Sequence, residues 1–244
     1  MNKISTNLWF NNQAEEAAEF YTKIFGGKIG QKLYYTEAGQ EVHRQKPGTL
    51  MTVDFTVADF DFTALNAGPL FTFNPTVSFL VNYDPSRDEN AKAHLDEAWE
   101  QLSDGGVVLM PLQEYSFSKH YGWIQDKYGV SWQLMLTNPE GEPRPVITPS
   151  LMFTEAMCGK AEDAGDFYVS VFKNTKRGAV MHYPAGMEPD TQNEAMFSEF
   201  MLENQWFAAM DSAREHSVFN EAISFIVNCN DQAEVDYYWE KLSA

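Results

Sequence analysis

The stretch YGWIQDKYGVSWQ, residues 121–133, decides the fold class of this 244-residue chain. Its centre, Asp126 to Gly129, has the composition of a tight turn, because glycine at position 129 can adopt positive φ without steric cost. The flanking segments 118–125 and 130–136 are rich in aromatic and apolar side chains, which favours strands. We therefore predict a β-hairpin here.

Outward from this hairpin, the pattern predicts the order β-α-β-β-β, twice in succession, before residue 137. Helices are predicted at 13–25 and 88–103, where apolar residues recur with the i, i+3, i+4 spacing of one buried face. Gly26-Gly27 is expected to end the first helix. The predicted strands are 4–10, 29–36, 49–57, 60–66, 75–82, 106–112, 118–125 and 130–136.

The chain also contains an internal repeat. EFYTKIF at 19–25 matches DFYVSVF at 166–172, and FNPTVSFLVN at 73–82 matches FNEAISFIVN at 219–228. A later block, LDEAWEQLS at 95–103, matches VDYYWEKLS at 235–243, in the same order along the chain. Several ordered matches of this kind indicate a tandem architecture.

The repeat sets the expected domains and fold class. We predict an α+β protein of tandem βαβββ half-modules, because one half exposes a face of its sheet and needs a partner. Residues 1–137 are expected to be a complete module of two halves, 138–145 a polar, proline-rich linker, and 146–244 a second module. Nothing in the second module matches 105–136, so it is expected to lack its last three strands. The sequence leaves open how the halves pair.

Charge excludes two classes of partner. Lys and Arg total 17 against 35 Asp and Glu, for a formal net charge of -18. Such a surface repels phosphate backbones and anionic lipids, so we expect neither nucleic acid nor a membrane as partner. The two cysteines cannot build a disulfide framework, and residues 1–20 lack the apolar core of a signal peptide. We expect a cytoplasmic protein.

Three motifs carry a resemblance to a known family: FY at 20–21 with FGG at 25–27, MPL at 110–112, and G-W-x-x-D-x-x-G-V-x-W at 122–132. The sequence resembles the PhnB-like branch of the vicinal oxygen chelate superfamily, which includes glyoxalase I, bleomycin-resistance proteins and extradiol dioxygenases. The resemblance implies glyoxalase-like incomplete barrels with a concave inner face. Members often carry a 3-demethylubiquinone methyltransferase label. Here the glycine-rich segment 26–30 follows a helix and precedes a strand, the reverse of a nucleotide-binding turn.

The resemblance also implies where a metal would lie. Its ligand positions fall on Thr6, Thr76 and Gln133, with a fourth near Asn66. Zinc and iron sites use imidazole, thiolate or carboxylate ligands, which these residues lack. We therefore predict no metal and no other cofactor, and we lean against an enzymatic role. Among the five histidines, His120 is the one expected to reach the mouth of the cleft.

Strand alternation then assigns residues to the cleft. If the ligand positions face inward, so do residues two apart along each strand, which gives a mixed apolar and polar lining. The candidate ligand-binding residues are Thr6, Leu8, Phe10, Asn66, Thr76, Ser78, Leu80, His120, Trp123, Gln133 and Met135. The alternative is that these side chains merely fill a small barrel.

Three functions follow as hypotheses. The first is binding of an unidentified small molecule without the superfamily's usual metal, as when a bleomycin-resistance protein sequesters a drug. The second is a metal-dependent lyase, isomerase or dioxygenase of glyoxalase type, which rests on fold analogy. The third is a structural or interaction role, including a homodimer, in which the open second module pairs with another chain.

Overall fold

A computed structural model describes residues 2–243 of the chain as two compact units. The first unit contains the residues up to Phe73 together with Asn220–Asn228. The second unit contains Asn74–Phe219 together with the residues from Cys229 onward. The chain therefore enters each unit twice.

The first unit is a five-stranded sheet in the order β13-β1-β4-β3-β2. Helix α1, Ala14–Phe25, lies on one face, and its aromatic ring at Tyr21 stacks on Phe55 with centroids 6.0 Å apart. A short helix α2, Gln40–His43, lies between β2 and β3. The strands are β1 Ile4–Phe10, β2 Gly27–Tyr34, β3 Leu50–Val57, β4 Phe60–Asn66 and β13 Ile223–Val227.

The second unit is an eight-stranded sheet in the order β10-β11-β12-β9-β5-β8-β7-β6. Its helices are α3 Ala91–Ser103, α4 Ala161–Val171 and α5 Gln232–Leu242. Its strands are β5 Val77–Tyr83, β6 Val107–Tyr115, β7 Ser118–Gln125, β8 Ser131–Leu136, β9 Ile147–Thr154, β10 Lys176–His182, β11 Ala195–Leu202 and β12 Gln205–Ser212.

Three βαβββ halves share one internal topology. In each, the first strand pairs in parallel with the fourth, as β1 does with β4, β5 with β8 and β9 with β12. The remaining strands continue antiparallel from the fourth. The predicted α+β class with βαβββ halves is therefore confirmed.

The halves meet through antiparallel first strands, and the two junctions have the same register. In the second unit β5 pairs with β9, which places Val77 opposite Leu151. In the first unit β1 pairs with β13, which places Leu8 opposite Ile223, the residue that the repeat equates with Val77. Each junction thus joins strands from different sequence copies. The boundaries 1–137 and 146–244 describe the sequence repeat and remain a prediction. Strand pairing crosses these boundaries, because β5 from the first range pairs with β9 from the second.

Local sequence explains most element ends. Gly26, with φ of 71°, follows α1 as expected for a glycine after a helix. The predicted linker 138–145 contains neither helix nor strand. The helix α2 was not predicted, because four residues are too few to show a periodic pattern. No helix among residues 2–243 combines the length and apolar character needed to cross a membrane.

Candidate functional site

The face of the eight-stranded sheet opposite its helices carries the candidate site. On the helix side, Phe79 and Trp132 pack together with ring centroids 5.2 Å apart. Strand alternation then turns their neighbours Leu80 and Gln133 to the opposite face, where the two residues lie side by side. We call this face, which lies opposite the helices, the open face, although both side chains are buried there. The open face carries one apolar cluster, formed by Leu80, Met110, Tyr115, Tyr121, Trp123, Met135, Met152 and Met210.

The cluster combines flexible methionine side chains with aromatic rings. Four of its members are methionines, whose unbranched thioether chains adapt to irregular shapes. Tyr115 lies edge-on to Tyr121, with centroids 5.6 Å apart, and the half-exposed Phe117 lies edge-on to the same ring at 4.9 Å. This cluster has the apolar and aromatic character that is common in the lining of small-molecule sites.

A buried hydrogen-bond relay crosses the floor of this cluster. The Tyr121 hydroxyl donates to Gln133 Oε1 at 2.7 Å, and Gln133 Nε2 donates to Ser78 Oγ at 2.8 Å. Burial, with a smaller contribution from Tyr115, raises the pKa of Tyr121, so its hydroxyl stays protonated. We call Tyr121, Gln133 and Ser78 the relay. Beside it, Trp123 Nε1 donates to Ser131 Oγ at 2.7 Å.

Thr76 directly precedes β5, and its polar groups form hydrogen bonds with neighbouring residues. Its hydroxyl donates to Asn74 Oδ1 at 2.6 Å, and its carbonyl oxygen accepts from the backbone of Met152. The structure thus brings Thr76, Ser78, Leu80, Trp123, Gln133 and Met135 together on one open face.

The inward orientation expected for β1 is wrong. Thr6, Leu8 and Phe10 pair in parallel register with Phe62, Ala64 and Asn66, all buried on the helix side of the first unit. Residues paired across a parallel ladder share a face, so these three lie beneath α1. The physical reason is that successive side chains of a strand point to opposite faces of the sheet. An error of one position in the expected register therefore exchanges the two faces.

Asn66 is likewise turned away from the open face. Its Oδ1 accepts from the backbone N–H of Ala14 at 2.9 Å, at the start of α1. Asp211 takes the corresponding position in the second unit, where its Oδ1 accepts from the backbone of Gly159 and Ala161. Both side chains therefore satisfy N–H groups that a helix N-terminus leaves unpaired, which is a structural role.

His120 also faces the helices. Its Nε2 lies 2.5 Å from Asp96 Oδ1 of α3, and the next residue on that side, Gly122, packs against Trp99 of the same helix. Partial burial alone would raise the pKa of Asp96, but hydrogen bonds from Lys92 and His120 lower it. The expectation that His120 reaches the cleft mouth is therefore wrong, because the side chain is on the opposite face from Trp123.

Sequence reasoning missed the contributions of Tyr121, Met110, Met152 and Met210. Tyr121 follows from alternation, since it lies two residues before Trp123. Met152 and Met210 belong to the other sequence copy and reach the site through the β5–β9 junction. No local pattern predicts that junction.

The donor set of the open face does not fit the divalent metal of the superfamily. Ser78, Ser131, Gln133 and Ser150 supply hydroxyl and amide groups, whereas zinc and iron sites are built from imidazole, thiolate and carboxylate. Across residues 2–243, no three His, Cys, Asp or Glu side chains are grouped so that they could hold an ion.

One substitution tests the relay as a structural element. Tyr121→Phe leaves Gln133 Oε1 without its donor, so we expect the free energy of unfolding to fall by about 1 kcal/mol. Urea denaturation measures the loss. Tyr34→Phe is the matched control, because the Tyr34 side chain is exposed and should change stability very little. Equal stability of the two variants would contradict the relay geometry.

The topology of the βαβββ halves is that of the glyoxalase fold, which solved structures of low sequence identity share with this chain. Within it, the chain belongs to the family described as 3-demethylubiquinone-9 3-methyltransferase, whose model matches residues 2–135 and 145–244. No curated protein matches the chain.

Solved structures resemble this chain to differing extents. A PhnB protein from Bacillus cereus, which carries the same methyltransferase description, is 37% identical over 56% of this chain and 100% of its own, with a TM-score of 0.48. A glyoxalase I variant from Zea mays is 12% identical over 88% of this chain and 68% of its own, with a TM-score of 0.55. A Bacillus subtilis protein described as a dioxygenase is 11% identical over 100% and 74%, with a TM-score of 0.54. The last two likenesses concern the fold alone.

Proposed function

We propose that the protein binds a small, neutral, partly apolar molecule on the open face of the eight-stranded sheet, without a metal ion. One observation carries the proposal: this face combines the methionine and aromatic cluster with a buried relay of uncharged hydrogen-bonding groups. Apolar walls with a few fixed polar groups are typical of small-molecule sites.

The first unit provides the contrast. Its open face carries two carboxylates beside the apolar pair Trp9 and Leu65, with Thr63 donating to Asp54 at 2.7 Å and Thr56 donating to Asp61 at 3.1 Å. These groups already satisfy one another and carry negative charge. We therefore place the binding site on the second unit alone.

The methyltransferase description does not fit this chain's glycine-rich segment. Gly26 and Gly27 connect α1 to β2, and β2 is antiparallel to its neighbour β3. A nucleotide-type methyl donor is bound at a turn from a parallel strand into a helix. The proposed binding role therefore stands without methyl transfer.

Ligand screening by thermal shift tests the proposal. A true ligand at about 100 times its Kd stabilises by about 2.7 kcal/mol, which corresponds to roughly 5–10 °C in Tm for a domain of this size. Met210→Lys places a charge in the cluster and should abolish that shift. Thr52→Lys, on the open face of the first unit, is the matched control and should preserve it.

Two outcomes would overturn the proposal. The first is a ligand shift that survives Met210→Lys unchanged, since the binding site would then lie elsewhere. The second is a stoichiometric Zn, Ni, Mn or Fe in the purified protein that is lost on substitution of Gln133, which would favour the metal-dependent alternative.

A further inference from the structure

The relay of Tyr121, Gln133 and Ser78 retains hydrogen-bonding capacity in addition to its structural role in the cluster. Each of the three side chains is more than nine-tenths buried. The central amide uses its oxygen toward the tyrosine hydroxyl and its nitrogen toward the serine hydroxyl. Within residues 2–243, neither hydroxyl makes a further side-chain hydrogen bond.

This arrangement leaves an acceptor at the tyrosine end of the relay and a donor at the serine end. The tyrosine proton is committed to Gln133 Oε1, so Tyr121 Oη retains acceptor capacity. Ser78 Oγ accepts from Gln133 Nε2, so its own proton is available to donate.

Rotation of the Gln133 amide by 180° reverses both bonds at once. Its Nε2 then donates to Tyr121 Oη, and Ser78 donates to its Oε1, so no partner is lost. The tyrosine end now carries the available proton and the serine end the available lone pair. Because a hydroxyl can donate or accept, the reversal leaves the number of hydrogen bonds unchanged.

We infer that the relay selects the ligand class: a neutral aromatic or apolar molecule with one hydroxyl, carbonyl or amide group, which the relay meets in either hydrogen-bond polarity. The inference rests on the proposed function and specifies its ligand. The cluster around the relay contributes apolar contacts and no charge. The four methionines of the cluster are the side chains that can move to admit such a guest.

Three bicyclic probes of similar size separate the polarities. Indane has no hydrogen-bonding group, 1-indanone has an acceptor, and indole has a donor. Each is titrated by NMR, following the indole N–H signal of Trp123, which Trp123→Phe assigns. We expect 1-indanone and indole each to bind about fivefold to tenfold more tightly than indane, the gain of one added neutral hydrogen bond.

Gln133→Glu is the decisive variant. Because burial raises the pKa of a carboxyl group, the probes are titrated into this variant at about pH 9, where the ionised carboxylate accepts from both hydroxyls and neither retains a proton for the ligand. Indole should keep its advantage over indane, while 1-indanone should lose its advantage. Gln133→Met is the matched control, because both hydroxyls become free to donate or accept and both probes should keep their advantage. A 1-indanone advantage that survives Gln133→Glu overturns the inference.

A triple variant keeps the test decisive if Gln133→Glu fails to fold. Ser78→Ala, Tyr121→Phe and Gln133→Met together remove every hydrogen-bonding group of the relay, and the three probes should then bind with equal affinity. Unequal affinities in the triple variant contradict the inference. If all three probes bind the unsubstituted protein equally, the inference fails while the proposed function stands. If none shifts the Trp123 signal, both fail.

Discussion

Asp126→Ala should lower the free energy of unfolding by about 3 kcal/mol or more, because hydrogen bonds to buried charged groups contribute roughly 1.5–3 kcal/mol each. The Asp126 carboxylate is 3% exposed and organises the β7–β8 hairpin. Its Oδ1 accepts from the backbone N–H groups of Tyr128 at 2.8 Å and Val130 at 3.1 Å. Its Oδ2 accepts from Trp132 Nε1 at 2.9 Å. Alanine leaves these buried donors without their acceptor.

Chemical denaturation followed by tryptophan fluorescence measures this loss. Asp104→Ala is the matched control, because Asp104 is an exposed carboxylate and its removal should cost less than about 0.5 kcal/mol. A loss below 1 kcal/mol for Asp126→Ala would show that the hairpin holds without its carboxylate.

Trp132→Ala should destabilise the second unit by about 3–5 kcal/mol, the range for removing a buried large aromatic side chain. Trp132 is fully buried on the helix side of the sheet, against Phe79. The substitution removes that packing, leaves a cavity and deprives Asp126 of one donor.

The chain offers a control of the same residue type. Trp239 on α5 is 76% exposed, so Trp239→Ala removes little buried surface and should change stability by less than about 0.5 kcal/mol. The comparison uses the midpoint and slope of urea unfolding for both variants. Comparable losses for the two substitutions would be inconsistent with the packing described for Trp132.

The hairpin was predictable because its determinants are local. Gly129 adopts φ of 92°, and the backbone N–H of Asp126 bonds to the carbonyl of Val130, as expected of a tight turn between strands. The roles of the Asp126 carboxylate were not evident from the sequence, since a turn of this composition forms without a buried acceptor.

The orientation of β1 shows where the family resemblance misled. Ile4, Leu8 and Phe10 alternate with Ser5 and Asn7, and this pattern alone places the apolar set against the helix. The ligand position that the resemblance implies falls on Thr6, whose register partner Phe62 is buried beneath α1. Strand periodicity was the stronger physical signal, because it follows directly from burial.

The same alternation separates the neighbours His120 and Trp123. Three positions apart on a regular strand, they cannot share a face, so both could not line one cleft. By contrast, no sequence pattern identifies β9 as the partner of β5. A long-range pairing depends on the complementarity of two edges, and the repeat provides several equivalent edges.

The equal registers of the two junctions have an evolutionary consequence. Val77 and Leu151 are direct neighbours although they come from different copies, as are Leu8 and Ile223. Each copy thus forms part of the environment in which the other is selected. After a duplication, such copies cannot diverge independently. A substitution in one copy at the β1–β13 or β5–β9 junction must fit the residue of the other copy that it contacts. The two copies of the repeat are separate in the sequence, but they must evolve together.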